Sequence, residues 1–273
     1  MSYANLAIHT FTTKPWSITD CLENYARRGI GGISIWRETI AGEDLGEVRR
    51  RLDDSGLEPI SLVRGGFFTG RTGAERAAAL EANREALREC AALGLPAMVL
   101  VCGATPGQTP LENRAQIRDG IGAVAGEAAD LGVRLLVEPL QPMYAGDRSA
   151  IASLKAANDL CEELALPNVG IAADVYHVWW DFDLEHELKR CAANGWLDAY
   201  HVCDFRPELE HPLLDRGIMG EGCIPLKAID AMVLGAGFAG MREVEIFSRR
   251  WWAEDQHRFL DEILRAYDEI YQQ

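Results

Sequence analysis

Leu131-Gly132-Val133-Arg134-Leu135-Leu136-Val137-Glu138 ends one helical pattern on a Leu-Gly stop, opens a short aliphatic run and closes that run with a carboxylate. A glycine just past the last periodic residue marks a helix C-terminus. The run that follows is too short for a helix and reads as a buried strand. The same unit recurs along the 273 residues. Strand-like runs fall at Leu6 to His9, Gly32 to Trp36, Glu58 to Val63, Ala97 to Cys102, Arg134 to Val137, Val169 to Ala173, Ala199 to Val202 and Glu243 to Phe247. Helical patterns lie between them, at Thr72 to Leu93, Leu111 to Leu131, Ser149 to Leu164 and Leu184 to Asn194, with a last one from Glu254 to Tyr271. Further stops stand at Arg28-Gly29, Leu93-Gly94 and Gly235-Ala236-Gly237. Strands alternating with helices pair in parallel through right-handed crossovers, and eight such units close into a barrel. The expectation is an α/β chain forming a single (β/α)8 barrel domain over residues 1–273. An open doubly wound sheet is the weaker reading, because no Gly-x-Gly-x-x-Gly follows the first strand.

Composition narrows the partners. Lys and Arg number 27 against 42 Asp and Glu, a formal net charge of -15, and such a surface repels nucleic acid and anionic membranes. The longest uncharged run, Cys90 to Leu111, is broken by Gly94, Pro96, Gly103, Pro106, Gly107 and Pro110 and is not a membrane span. The first residues lack the basic start and apolar stretch of an export signal, so the cytoplasm is the default compartment. Seven cysteines without a Cys-x-x-Cys pair fit reduced buried thiols rather than disulfides or a thiolate zinc site.

In a parallel barrel the C-terminal strand ends converge on one mouth. Glu138, Asp174, His201 and Glu245 each follow or end an aliphatic strand in the second half of the chain, and are expected to face one another there. One strand-end carboxylate is an ordinary helix cap or ion pair; four successive strands ending in this way point to a site. Three carboxylates that close raise one another's pKa unless a cation lies between them. A single divalent metal is the economical answer. Three oxygens and one nitrogen suit Mn²⁺, the first choice, with Mg²⁺, Co²⁺ or Zn²⁺ as alternatives. His177, three residues after Asp174, and Asp204, three after His201, read either as satisfied loop residues or as a substrate donor and a support for the ligands.

These motifs resemble the xylose isomerase-like TIM barrel superfamily, in particular its sugar (phosphate) isomerase and epimerase branch, which is similar to the ketose 3-epimerases. Val137-Glu138-Pro139-Leu140 looks like the fifth-strand motif of that branch. Asp174-Val175-Tyr176-His177, His201-Val202-Cys203-Asp204 and Val244-Glu245-Ile246-Phe247 look like those of its sixth to eighth strands, and Arg216 to Pro225 resembles its glycine-rich segment. The resemblance implies that Glu138, Asp174, His201 and Glu245 bind a divalent metal and that Glu138 and Glu245 also exchange the substrate proton. The DNA-repair endonuclease branch needs added histidines where this chain has Val63-Arg64-Gly65, Cys102-Gly103 and Asp215-Arg216-Gly217, so nucleic acid is not expected as a partner.

The expected activity is that of a metal-dependent sugar or keto-polyol isomerase or epimerase. It would abstract a proton next to a carbonyl through a metal-stabilised enediolate. A dehydratase or lyase acting on a keto-inositol or 3-keto-glycoside is the alternative, and a sugar-binding barrel the non-enzymatic one. Substrate-binding candidates are His9, Trp36, His177, Trp179, Arg216 and Trp251, with Asp204 and Glu221 expected to hold the site from behind. Arg216 could instead bind Asp215. Arg249 and Arg250 form the one adjacent basic pair expected near the mouth, facing solvent or a phosphate. The partner is a small carbohydrate; no membrane is involved, and a homo-oligomer is left open.

Overall fold

The structure, a computed structural model, describes residues 3–272. Eight strands, β1 (Tyr3–His9), β2 (Ile30–Trp36), β3 (Glu58–Gly66), β4 (Ala97–Val101), β5 (Arg134–Val137), β6 (Val169–Asp174), β7 (Leu197–Val202) and β8 (Arg242–Val244), run parallel in chain order. β8 pairs with β1 and closes the TIM barrel, so no strand edge is left open.

Local chemistry sets the helix limits. The helices Ile18–Arg27, Gly73–Ala92 and Pro110–Asp130 begin on capping boxes, Ser17 with Asp20, Thr72 with Glu75 and Thr109 with Glu112. Gly29, Gly94, Gly132 and Gly237, at the expected stops, all have positive φ, a conformation that suits glycine. One helix starts later than its pattern suggests. The stretch expected to be helical from Ser149 becomes so only at Leu154, because Ser153 accepts from the Ala156 N–H as N-cap and Ser149 pairs with Gly103.

Two apolar layers result. The larger lies between strands and helices, and a smaller one, including Val63, Val99, Leu136, Ala172 and Ala199, fills the barrel interior. Side chains alternate along a strand with a period of two. Two residues beyond interior Leu136, Ala172 and Ala199 stand Glu138, Asp174 and His201. The apolar filling thus changes to a polar mouth within one step of the pleat. Among the described residues no helix is long and apolar enough to cross a membrane.

Candidate active site at the barrel mouth

Glu138, Asp174, His201 and Glu245 offer ligand atoms that all lie within 4.8 Å of one another, and all four residues are buried. Asp174 and His201 are paired across β6 and β7. The Glu245 N–H donates to the Val202 carbonyl, which continues β8 beside β7 and fixes the last carboxylate. His201 Nδ1 lies 3.2 Å from Glu138 Oε1, but the two are not aligned for a hydrogen bond, and Glu138 Oε1 and both His201 nitrogens are buried without a partner. Unpartnered polar atoms at that depth are costly. With three carboxylates and one imidazole within ligand spacing, the donor set fits a divalent cation.

Below the quartet runs a second layer. His9 Nε2 is 3.2 Å from Glu243 Oε2 and its Nδ1 is 3.0 Å from Glu245 Oε1. Ser34 donates to Glu243 Oε2 at 2.5 Å. Burial opposes a charge on His9, but Glu245 beside it raises its pKa on balance. Burial likewise opposes charge on His201, which the neighbouring carboxylates of Glu138, Glu243 and Glu245 nevertheless raise to about 10. Glu245 is held well below the usual carboxylate range: its burial is outweighed by His9 and Arg216. Asp174 moves up through burial, against the pull of Arg216. The mouth therefore concentrates positive charge around its carboxylates.

Arg216 is the largest part of that charge. Its Nη1 donates to Asp174 Oδ2 at 2.8 Å and to Glu245 Oε2 at 3.0 Å, and its guanidinium lies between the rings of Tyr176 and Phe247 at 4.4 and 4.5 Å. Asp215 is taken instead by Arg206 at 2.6 Å. His177, also buried, accepts from the Gln141 N–H through Nδ1. Burial and Arg216 drive its pKa well down, and its Nε2 lies 3.4 Å from the donor Nη2 of Arg216 and 3.6 Å from Asp174 Oδ2.

Asp204 does not touch the quartet. Its carboxylate accepts from the N–H groups of Phe205, Gly220, Gly222 and Ile224, and its backbone exchanges two hydrogen bonds with Gly217. It thereby ties down the glycine-rich loop that delivers Arg216. Glycine is required at 222, where a Cβ would stand 2.2 Å from the Phe205 carbonyl oxygen. Glu221 accepts from the Ile218 N–H and lies 3.5 Å from Arg250.

The structure brings Trp36, His177 and Arg216 to the cavity above the quartet. His9, Trp179 and Trp251 do not line that cavity: His9 accepts from the Trp36 Nε1–H behind it, Trp179 lies against Phe205, and Trp251 stacks on Phe259 at 4.9 Å. Arg249 and Arg250 are exposed. The basic pair at the mouth is instead Arg64 and Arg148, which line the cavity with Tyr144. Sequence reading missed Glu243, although Glu243 on β8 and Glu245 just past its end are two apart, the alternation that turns both inward. No sequence signal marked Tyr144 or Arg148.

A closed parallel barrel with acidic and imidazole donors gathered at its C-terminal mouth defines a (β/α)8 barrel with a candidate metal site. The chain matches the xylose isomerase-like TIM barrel family over residues 22–264 and belongs to it. Protein SMc04130 from Sinorhizobium meliloti 1021 is 38% identical, with 98% of this chain and 99% of that chain covered and a TM-score of 0.95. The IOLI protein with a bound zinc atom is 18% identical (97% of each chain, TM-score 0.86). D-psicose 3-epimerase from Clostridium cellulolyticum H10, with D-tagatose, is 14% identical (97% of each chain, TM-score 0.80). The last two likenesses are of fold alone. The chain also spans 60% of the length of pyridoxal 5'-phosphate synthase subunit PdxT of Mycobacterium ulcerans (strain Agy99), 29% identical over 130 residues. That match covers 48% of this chain and carries no activity over to it.

Proposed function

We propose that this protein is a divalent-metal-dependent isomerase or epimerase of a small carbohydrate. The observation that carries this reading is the convergence of Glu138, Asp174, His201 and Glu245, with buried Glu138 Oε1 and His201 nitrogens left unpartnered. A divalent cation, Mn²⁺ first among the candidates, would supply positive charge where an enediolate develops negative charge. Glu138 and Glu245 follow strands three apart around the barrel and approach a bound substrate from different sides. One removes the proton next to the carbonyl and the other returns it, which inverts the configuration; return to the neighbouring carbon isomerises. His177, which lines the cavity, hydrogen-bonds a substrate oxygen, and Arg216 orients the carbonyl end while balancing Asp174 and Glu245. Asp204 holds the loop that carries Arg216. Six of the seven cysteines are buried free thiols, which goes with a reducing, cytoplasmic compartment.

The test is deuterium uptake from D₂O by a panel of ketoses, keto-inositols and 3-keto-glycosides incubated with the Mn²⁺-loaded protein. Uptake with unchanged product mass, absent in Glu245→Gln, is expected. Loss of water or of an aglycone would make the enzyme a lyase, and no uptake on any substrate would overturn the reading.

A further inference from the structure

The cavity above the quartet holds more positive charge than its own carboxylates take up. Arg64, near the end of β3, stacks over Phe67 at 4.7 Å, and Glu38 approaches it only to 3.7 Å from the solvent side. Arg148 lies in the loop after β5, 5.7 Å over Tyr144, and has no carboxylate partner among the described residues. The Nε atoms of both arginines and the Tyr144 hydroxyl are buried without a hydrogen-bond partner. Arg148 is near enough to disfavour the charge on Arg64, which burial already disfavours. Two guanidinium groups with free donors, side by side over a common cavity, are unfavourable until an anion accepts from them.

The position of Arg64 is built into the fold. The β3 backbone continues past Val63 through a register irregularity. Asn83 then clamps Gly66 from both sides, accepting from its N–H and donating to its carbonyl, each at 2.7 Å. A Cβ on Gly66 would lie 2.0 Å from the Val101 carbonyl oxygen, so only glycine permits this path. The charges around the cavity point the same way. The cavity lining carries three arginines, Arg64, Arg148 and Arg216, against two carboxylates, Glu138 and Glu245, and a divalent cation in the quartet would draw on those same two carboxylates. The cavity is about 20 Å³ in this structure, room for about one water molecule, so a substrate enters by moving the lining side chains apart.

We propose that the substrate of this site is a monosaccharide bearing a terminal oxyanion group, a carboxylate or a phosphate, seated between Arg64 and Arg148. This rests on the carbohydrate-enzyme reading above and names its substrate class. A planar guanidinium fork matches either oxyanion in two parallel hydrogen bonds.

Calorimetric binding of D-fructose, D-fructuronate and D-fructose 6-phosphate, with Mn²⁺ and separately with chelator, tests it. At least one anionic ketose is expected to bind about tenfold or more tightly than D-fructose, and the stronger of the two identifies the group. The advantage should collapse in the Arg64→Gln/Arg148→Gln double variant; if that variant does not fold, Arg148→Gln alone is read in the same way. No anion preference, or one that survives these substitutions, overturns the proposal. Deuterium uptake separates the two levels. Exchange on D-fructose with no anion preference leaves the enzyme reading standing, whereas anion binding without exchange on any ketose sinks that reading and keeps the oxyanion seat.

Discussion

Arg216 Nη1 stands 2.8 Å from Asp174 Oδ2, with no more than 2% of either side chain exposed. The same nitrogen reaches Glu245, so one guanidinium serves as counter-ion to two of the four quartet residues. Removing one partner of a buried pair costs about 3–5 kcal/mol, roughly 10 °C in melting temperature for a domain of this size. Arg216→Met is expected to lose that much in chelator. With saturating Mn²⁺ the loss should be less than half as large, because a cation among the same carboxylates replaces the missing charge. Equal losses in both conditions would show that Arg216 stabilises through its packing against Tyr176 and Phe247.

The proposed roles of Glu245 and His177 separate in kinetics. Glu245→Gln removes a proton-transfer group and a ligand together and should lower kcat by about 10³ or more. His177→Ala removes a polar contact to the substrate and should mainly raise KM, by about tenfold. Steady-state rates of deuterium uptake measure both. A His177→Ala variant that loses kcat with KM unchanged would assign the imidazole to the proton transfer itself.

Asp204 acts at a distance from the chemistry. Asp204→Ala strips four backbone N–H groups of their acceptor and should cost about 3 kcal/mol. Freed of that anchor, the Gly217 to Ile224 loop should be cut faster by protease, and KM should rise as Arg216 loses its position. Unchanged proteolysis together with unchanged KM would mean that the loop is held by its glycine geometry alone.

How much of this could be read beforehand depended on periodicity. The eight strands were legible because each is a short aliphatic run bounded by a helix stop or a turn. The quartet was legible because Glu138, Asp174, His201 and Glu245 stand at the ends of such runs. Glu243 opens its run instead of ending it, so only its spacing of two from Glu245 marked it, and it was passed over. The direction of a loop residue carries no period, so nothing in the sequence distinguished Arg148, which lines the cavity, from Arg249 and Arg250, which face solvent. Arg64 was expected among scattered basic residues at the mouth, but not beside Arg148, because the path of β3 past Val63 goes with the Asn83 clamp on Gly66, a contact between residues 17 apart. The helix expected from Ser149 began late for a related reason. Ser149 and Ser153 are both good caps, and the pairing of Ser149 with Gly103 decided between them.

Thiol reactivity tests the packing of the whole barrel without reference to any substrate. Six cysteines are buried and Cys223 is exposed. Burial pushes the Cys21, Cys90 and Cys161 thiols up to about 12. It also drives Cys203, whose Sγ lies 3.9 Å from Arg216 Nη1, well above the ordinary thiol value. The thiolate is the reactive form, so a buried thiol with a raised pKa is inert until the fold opens. A disulfide reagent at pH 8 should therefore titrate one thiol per native chain and all seven in denaturant. Cys203 reports specifically on the mouth. In Arg216→Met with chelator, where Asp174 and Glu245 lose their counter-ion, a second thiol is expected to react slowly and to map to Cys203 by mass spectrometry, and Mn²⁺ should suppress it. Rapid reaction of several thiols in the native wild-type protein would contradict the packed barrel itself.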